Sequence, residues 1–400
     1  MQKVILAVQK LSDRTAVQLE RDLIDLSESA FNSWRLKRLN AVQVAMDRAG
    51  IDALVLTIGA DMPWLCGYEA MPLERITALV VPKGSKPTLV VPKLEAPRVR
   101  YFEESFALRP WFESEDPFRI IAELLGQSTN VAVSEKTWAS WLIRLEGESK
   151  SVSFSLASDV IGAIRAKKDQ LEVEVLTRAA HAADAVAEGI IVGEVSFRDR
   201  TERQVSAKIS ELLLEAGHKK VNFAIVGSGA NSASPHHEPT DKLISEGEAV
   251  VCDFGGTYQI GDEPGYCSDT TRTFFVGEVE PSFAKLYDVL LRAQITASDS
   301  ATVGSSFPSV DEVARSIIRE AGYGSYFVHR LGHGIGLEEH ELPYLAENST
   351  GILEVGHAFS IEPGIYFPDK FGARIEDIVV AEKAGPRALN VSSRELHSVQ

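Results

Sequence analysis

Residues 249–276 read AVVCDFGGTYQIGDEPGYCSDTTRTFFV, and residues 358–381 read AFSIEPGIYFPDKFGARIEDIVVA. Each stretch is a pair of apolar, strand-like runs around turn formers: Gly255, Gly256, Gly261, Pro264 and Gly265 in the first, Pro363, Gly364, Pro368 and Gly372 in the second. Each carries two carboxylates, Asp253 and Asp269 standing 16 residues apart and Glu362 and Glu376 standing 14 apart. This spacing predicts two antiparallel strand pairs, with one carboxylate per strand on a common face. If two such hairpins face each other, four carboxylates share one cleft, and at low dielectric their repulsion demands cations.

His333, in RLGHGIG, is a fifth candidate donor. A carboxylate-rich set with one imidazole suits hard or borderline divalent metals, Mn²⁺ first and Co²⁺ or Zn²⁺ as alternatives, and a pair of ions sharing carboxylates activates water for hydrolysis. Taken singly, Asp253 and Asp269 are ordinary strand-end or turn residues. Their occurrence in order with the other three, each in its own local frame, carries the metal reading. Gly332, Gly334 and Gly336 either permit a turn around His333 or let a substrate backbone approach it. His340 follows in HELP, but glycines between the two histidines oppose the helix of an HExxH zinc site. His236 lies in SPHHEPTD, after GSGANSAS. That glycine run lacks a third glycine at fingerprint spacing and a Walker lysine, so a phosphate loop is a weak competitor. For His237 a structural role is at least as well founded.

A net charge of −16 opposes attraction to nucleic acid or an anionic membrane surface. Cys66, Cys252 and Cys267 form no CxxC pair, which fits a reducing cytosol and offers no thiolate metal site. The apolar run Val4–Val8 is too short for a signal-peptide core, and no stretch is long enough to span a bilayer. The expectation is a soluble, cytoplasmic protein. At 400 residues with 44% hydrophobic content, two domains are expected, 1–165 and 166–400.

Residues 1 to about 30 read as a polar helical extension. A helix from about Ser33 stops at Gly50, and strands follow at 53–58, 76–81 and 88–91, which makes a small α/β domain. Cys66 and Tyr68 are packing residues there. After a charged junction at 161–174, Asp169 with Glu172 and Thr201 with Gln204 read as capping boxes opening two helices. Strands are predicted at 223–226, 250–254, 272–276, 358–367 and 374–381, and helices at 283–301 and 310–321. The fold class is α/β in the broad sense, α+β in detail.

With these motifs quoted, the chain resembles the metallopeptidase family that includes methionine aminopeptidase, prolidase and aminopeptidase P, known for the pita-bread fold. The likeness covers about residues 170–385, while 33–165 resembles the creatinase-type N-terminal domain of the Xaa-Pro branch. The resemblance implies that Asp253, Asp269, His333, Glu362 and Glu376 hold two divalent ions and that Glu362 is the general base. It implies that His236 and His340 contact substrate and stabilise the oxyanion, and that Thr271 supports the ligands. Arg374 in GARIED falls on a substrate-side position of Xaa-Pro peptidases. The implied activity is hydrolysis of the bond between an N-terminal residue and proline in small peptides, by a homodimer.

Two departures stand out. The loop QIGDEP after Asp253 is longer than usual, and Tyr344 in HELPYL stands where many prolidases have an arginine that grips a dipeptide carboxylate. Dipeptidase and aminopeptidase specificity therefore both stay open. A binuclear hydrolase of another substrate such as a phosphoester, and a catalytically silent binding module, are the alternatives.

Overall fold

The computed structural model describes residues 26–100 and 102–400. Most of the expected N-terminal extension lies outside these residues. By contacts, the described residues divide into one compact unit of 166–260 and 265–400 and another of 26–165 with 261–264.

The N-terminal unit contains α1 (Glu28–Ala49), β1 (Ala53–Leu56), α2 (Asp61–Cys66), β2 (Ala78–Pro82), β3 (Thr88–Pro92), β4 (Ala107–Trp111), α3 (Pro117–Leu125), β5 (Asn130–Val133), α4 (Ala139–Glu148) and β6 (Ser153–Leu156). Its six strands form one mixed sheet in the order β4-β3-β2-β1-β5-β6. Val55, Val80, Val90 and Val131 of the sheet pack with Phe118 and Ile121 of α3 and with Trp141 and Leu145 of α4. Helix α1 begins five residues earlier than its apolar stripe suggested, because Ser27 accepts the Ala30 amide as its N-cap. It stops where expected, with Gly50 at φ 68°. Cys66 and Tyr68 are both buried. Glu263, from the long loop after Asp253, belongs to this unit and forms a buried ion pair with Arg35.

After α5 (Ser158–Ala166), the larger unit contains α6 (Gln170–Ile191), α7 (Glu202–Glu215), β7 (His218–Ser228), β8 (Ala249–Tyr258), β9 (Tyr266–Cys267), β10 (Thr270–Val276), α8 (Pro281–Ser300) and α9 (Phe307–Glu320). Then come β11 (Gly332–Gly334), β12 (Glu341–Leu345), β13 (Ala358–Ile361), β14 (Gly364–Phe367), β15 (Phe371–Arg374), β16 (Asp377–Glu382), β17 (Gly385–Ala388) and β18 (His397–Val399). Both capping boxes are present, Asp169 with Glu172 and Thr201 with Gln204.

The unit is built from two similar halves. In the first, Val186 and Ile190 of α6 and Val205 and Ile209 of α7 cover Cys252, Phe254 and Phe274 of the sheet β18-β10-β8-β7. In the second, Leu286 and Leu290 of α8 and Val310 and Ala314 of α9 cover Phe359, Ile361 and Val379 of the sheet β12-β11-β13-β16-β17. Full burial of each such large side chain is worth roughly 1.5–3 kcal/mol. With its helix-facing side dry, each sheet has one face left for chemistry.

The strands expected over 358–367 and 374–381 are each divided, into β13 with β14 and β15 with β16. Pro363 supplies the reason, since it has no N–H to continue the ladder. The break falls beside Glu362 and Glu376.

Candidate metal centre

Alternation along β8 turns Cys252 and Phe254 to the helices and Asp253 to the opposite face. Thr271 lies directly across the ladder from Asp253, and Asp269, two residues earlier, shares its face at the entrance to β10. In the second half Ile361 pairs with Asp377 and Gly364 with Arg374. The same register carried across the break sets Glu362 opposite Glu376. The two carboxylate pairs are then stitched together. The Glu376 amide donates to Thr271 O at 3.1 Å, and Thr271 Oγ1 donates to Glu376 Oε2 at 2.7 Å. Arg374 N donates to Thr273 Oγ1 at 3.0 Å, and that hydroxyl donates back to Arg374 O at 2.8 Å.

His333 sits on a short strand, β11. A Cβ on Gly332 would lie 1.9 Å from Ser360 O, and one on Gly334 would lie 2.1 Å from Leu342 O. These glycines admit the neighbouring strands, so the space read as room for a turn or a substrate chain is filled by the protein's own backbone. The result is a close approach: His333 Nε2 lies 3.2 Å from Glu362 Oε1 and 3.7 Å from Asp269 Oδ2. Ser360 Oγ accepts the His333 amide and donates to Glu362 Oε1, both at 3.0 Å.

Asp269, His333 and Glu376 each present one potential ligand atom, all within 4.8 Å of one another, and all three residues are buried. His333 Nδ1 lies 3.1 Å from Gly334 O, which favours the proton on that nitrogen. When Nδ1 carries the only ring proton, Nε2 aims a lone pair at carboxylate oxygens. Acceptor facing acceptor is repulsive unless a proton or a cation stands between them.

The electrostatics make the same demand. Burial, then Glu376, Asp253 and Glu362, push Asp269 well above the usual carboxylate range. Glu376 is also pushed well up by burial and by Glu362 and Asp253. Burial raises Asp253 too, although Arg374 opposes it through a 2.5 Å contact to Oδ2. Burial works against the Glu362 charge, but the His333 hydrogen bond and the charges of His333, His329 and Arg374 overcome it and hold Glu362 at about 2. Asp253 Oδ1 and Glu376 Oε1 are buried with no hydrogen-bond partner, an expensive condition for a carboxylate oxygen. Divalent cations would satisfy both oxygens and the excess charge, so the donor set fits hard or borderline metals.

Arg374 anchors one wall. It is buried and reaches Asp253, Thr271 Oγ1 at 3.0 Å, Tyr366 OH at 3.1 Å and Pro235 O at 3.1 Å. The Tyr366 hydroxyl also lies 3.0 Å from His329 Nε2, and burial pushes its pKa up to about 12. Arg374 therefore acts on the carboxylate wall, with its guanidinium already committed to protein partners. His340 lies against His333 with ring centroids 4.0 Å apart and planes tilted by 45°, and burial followed by the charges of His333 and Arg330 pushes it down to about 4. His236 is exposed and lies within electrostatic reach of both Asp253 and His340. His237 turns away, its Nε2 2.8 Å from Glu202 Oε2. Ser228, Asn231 and Thr240 also donate to Glu202. The glycine run before His236 thus cradles the protein's own carboxylate rather than a phosphate.

Sequence reasoning missed Ser360, Tyr366, His329 and Arg330. Ser360 had a usable signal, standing two residues before Glu362 as Thr271 stands two after Asp269. The other three had none, because they are joined only by long-range pairing.

Known proteins agree with this architecture. Residues 174–383 match metallopeptidase family M24, and residues 38–167 match the creatinase/prolidase N-terminal domain. The chain is 40% identical over 364 residues to a probable dipeptidase PepE of Mycobacterium bovis, covering 90% of this chain and 95% of that one. It is 34% identical to a Xaa-Pro dipeptidase of Pyrococcus horikoshii over 352 residues, 88% of this chain and 96% of the other. The crystal structure of dipeptidase PepE from Mycobacterium ulcerans superposes with a TM-score of 0.84 at 41% identity, covering 91% of this chain and 98% of that one. The chain accordingly belongs to metallopeptidase family M24, with a creatinase/prolidase N-terminal domain preceding a pita-bread catalytic domain.

Proposed function

We propose that this metallopeptidase hydrolyses the bond between an N-terminal residue and a following proline, with two divalent ions held by Asp253, Asp269, His333, Glu362 and Glu376. The observation that carries the reading is His333 Nε2 lying 3.7 Å from Asp269 Oδ2 and 3.2 Å from Glu362 Oε1 within a buried carboxylate cluster. Members of a metallopeptidase family use divalent metal, and this oxygen-rich set favours Mn²⁺. Relatives named Xaa-Pro dipeptidase support the peptide class. Proline's missing N–H and fixed φ make such bonds poor substrates for sites that bind peptides as extended strands.

When bound, the ions would polarise the scissile carbonyl and acidify a water. Glu362 receives that water's proton and passes it towards the proline nitrogen. His340 is neutral at pH 7 and, with His236, offers imidazole N–H groups to the developing oxyanion. Arg374 and Thr271 hold Asp253 and Glu376 in place.

The proposal takes 1–165 and 166–400 as the two domains, a division supported by the compact units. It also takes the working form to be a cytoplasmic homodimer. Among the described residues no helix is long and apolar enough to cross a membrane, and all three cysteines are free and buried. Light scattering tests the dimer. Hydrolysis of Ala-Pro and Ala-Pro-Ala against Ala-Ala, after loading with Mn²⁺, tests the activity. Turnover of the proline peptides is expected, and equal or faster turnover of Ala-Ala would contradict the reading.

A further inference from the structure

Arg330 stands two residues before the strand that carries His333, and its guanidinium lies 4.3 Å from the ring centroid of Tyr344. Tyr344 is the direct ladder partner of His333. Arg330 Nη2 lies 3.4 Å from His340 Nδ1, and the His340 ring is 4.0 Å from that of His333. One short strand pair thus places a guanidinium beside the centre, at a spot where it has no carboxylate partner among the described residues. The other cations nearby are engaged: Arg374 with Asp253 and Lys168 with Glu341.

In a protein of net charge −16, an unpaired arginine beside a carboxylate-lined centre is a place for a substrate anion. A Xaa-Pro dipeptide carries one. Its free carboxylate lies about 3.8 Å, one residue's length, beyond the scissile carbonyl, and each added residue moves it roughly 3.5 Å further. The planar guanidinium fork matches a carboxylate in two-point geometry, and the tyrosine face beneath holds the fork flat without neutralising it.

We propose that Arg330, laid on Tyr344, binds the C-terminal carboxylate of a Xaa-Pro dipeptide and sets a preference for dipeptides over longer or blocked peptides. This rests on the Xaa-Pro peptidase reading above and deepens it.

The test is kcat and KM of Mn²⁺-loaded full-length enzyme on Ala-Pro, Ala-Pro-amide and Ala-Pro-Ala. The wild type is expected to favour Ala-Pro over the amide by about tenfold or more in kcat/KM, the scale of a charged hydrogen bond. Arg330→Gln lowers that ratio towards one, mainly through the KM of Ala-Pro. Arg330→Lys retains part of it, and Tyr344→Leu moves it the same way by a smaller factor. A wild-type ratio already near one, or the same ratio in Arg330→Gln as in the wild type, overturns the assignment. An Arg330→Gln protein whose thermal midpoint collapses leaves the decision to Arg330→Lys, where a wild-type ratio and KM overturn it. Wild-type enzyme that cleaves neither proline peptide overturns the activity itself, an outcome distinct from active enzyme with an indifferent Arg330.

Discussion

Thr271 donates its hydroxyl to Glu376 across 2.7 Å while standing opposite Asp253 in the β8–β10 ladder. One side chain thus couples the two halves of the catalytic unit at their carboxylates. Its partners lie more than a hundred residues apart in sequence, so the geometry of the centre depends on the halves closing correctly.

Thr271→Val keeps the shape of the side chain and removes this donor. Metal affinity should weaken about 10- to 100-fold, the usual effect of losing a hydrogen bond to a ligand, with little change in the thermal midpoint of the metal-free protein. Calorimetric titration with Mn²⁺ checks it, and Thr271→Ser should restore most of the affinity. Unchanged binding in Thr271→Val would remove Thr271 from the account.

Glu362→Gln removes the proposed proton acceptor. Turnover of Ala-Pro should fall by about 10²–10⁴-fold while circular dichroism stays that of the wild type. A near-normal rate would refute the base role.

The Glu202 cradle governs acid stability. Partners from Ser228 to Thr240, with His237 foremost, outweigh burial and hold Glu202 at about 2, below its ordinary 4.5. A depressed carboxylate contributes stability that is complete above the unfolded value and is lost as pH falls towards the folded one. Glu202→Gln should cost about 3 kcal/mol at pH 7, as expected for breaking a buried charged cluster. In urea unfolding, the gap between wild type and variant should be constant down to pH near 5 and narrow below 4.5. A gap that widens on acidification would reverse the sign of this argument.

Removal of metal should abolish peptidase activity and lower the thermal midpoint. Ligand at a hundred times its dissociation constant stabilises by about 2.7 kcal/mol, so the shift should be several degrees and should depend on concentration. Scanning calorimetry with and without a chelator reads both. Re-addition of Mn²⁺ should restore more activity than Zn²⁺ or Co²⁺.

Local rules made much of this legible. Asp169 with Glu172, Thr201 with Gln204, and Gly50 act within one helical turn, so their caps could be read from the chain. The face shared by Asp253, Thr271 and Asp269 follows from the period of two in a strand. The break at Pro363 was also local, and the apolar residues on both sides hid it. What lay beyond reading were pairings across the fold. The parallel strands β5 and β6 find their partners only through the assembled sheet. Arg330 resembles any surface arginine until β11 and β12 bring Tyr344 beneath it. His329, Tyr366 and Arg374 likewise become one hydrogen-bonded chain only when β14 and β15 pair.

The central claim is that five side chains hold two divalent ions. Metal content per chain, measured by plasma mass spectrometry after loading with Mn²⁺ and removal of free ion, tests it most directly in wild type and Asp269→Asn. The account predicts two ions per wild-type chain and fewer than two in the variant, with peptidase activity lost in step. Wild-type protein that is folded, retains no ion and still cleaves Ala-Pro at full rate would contradict it.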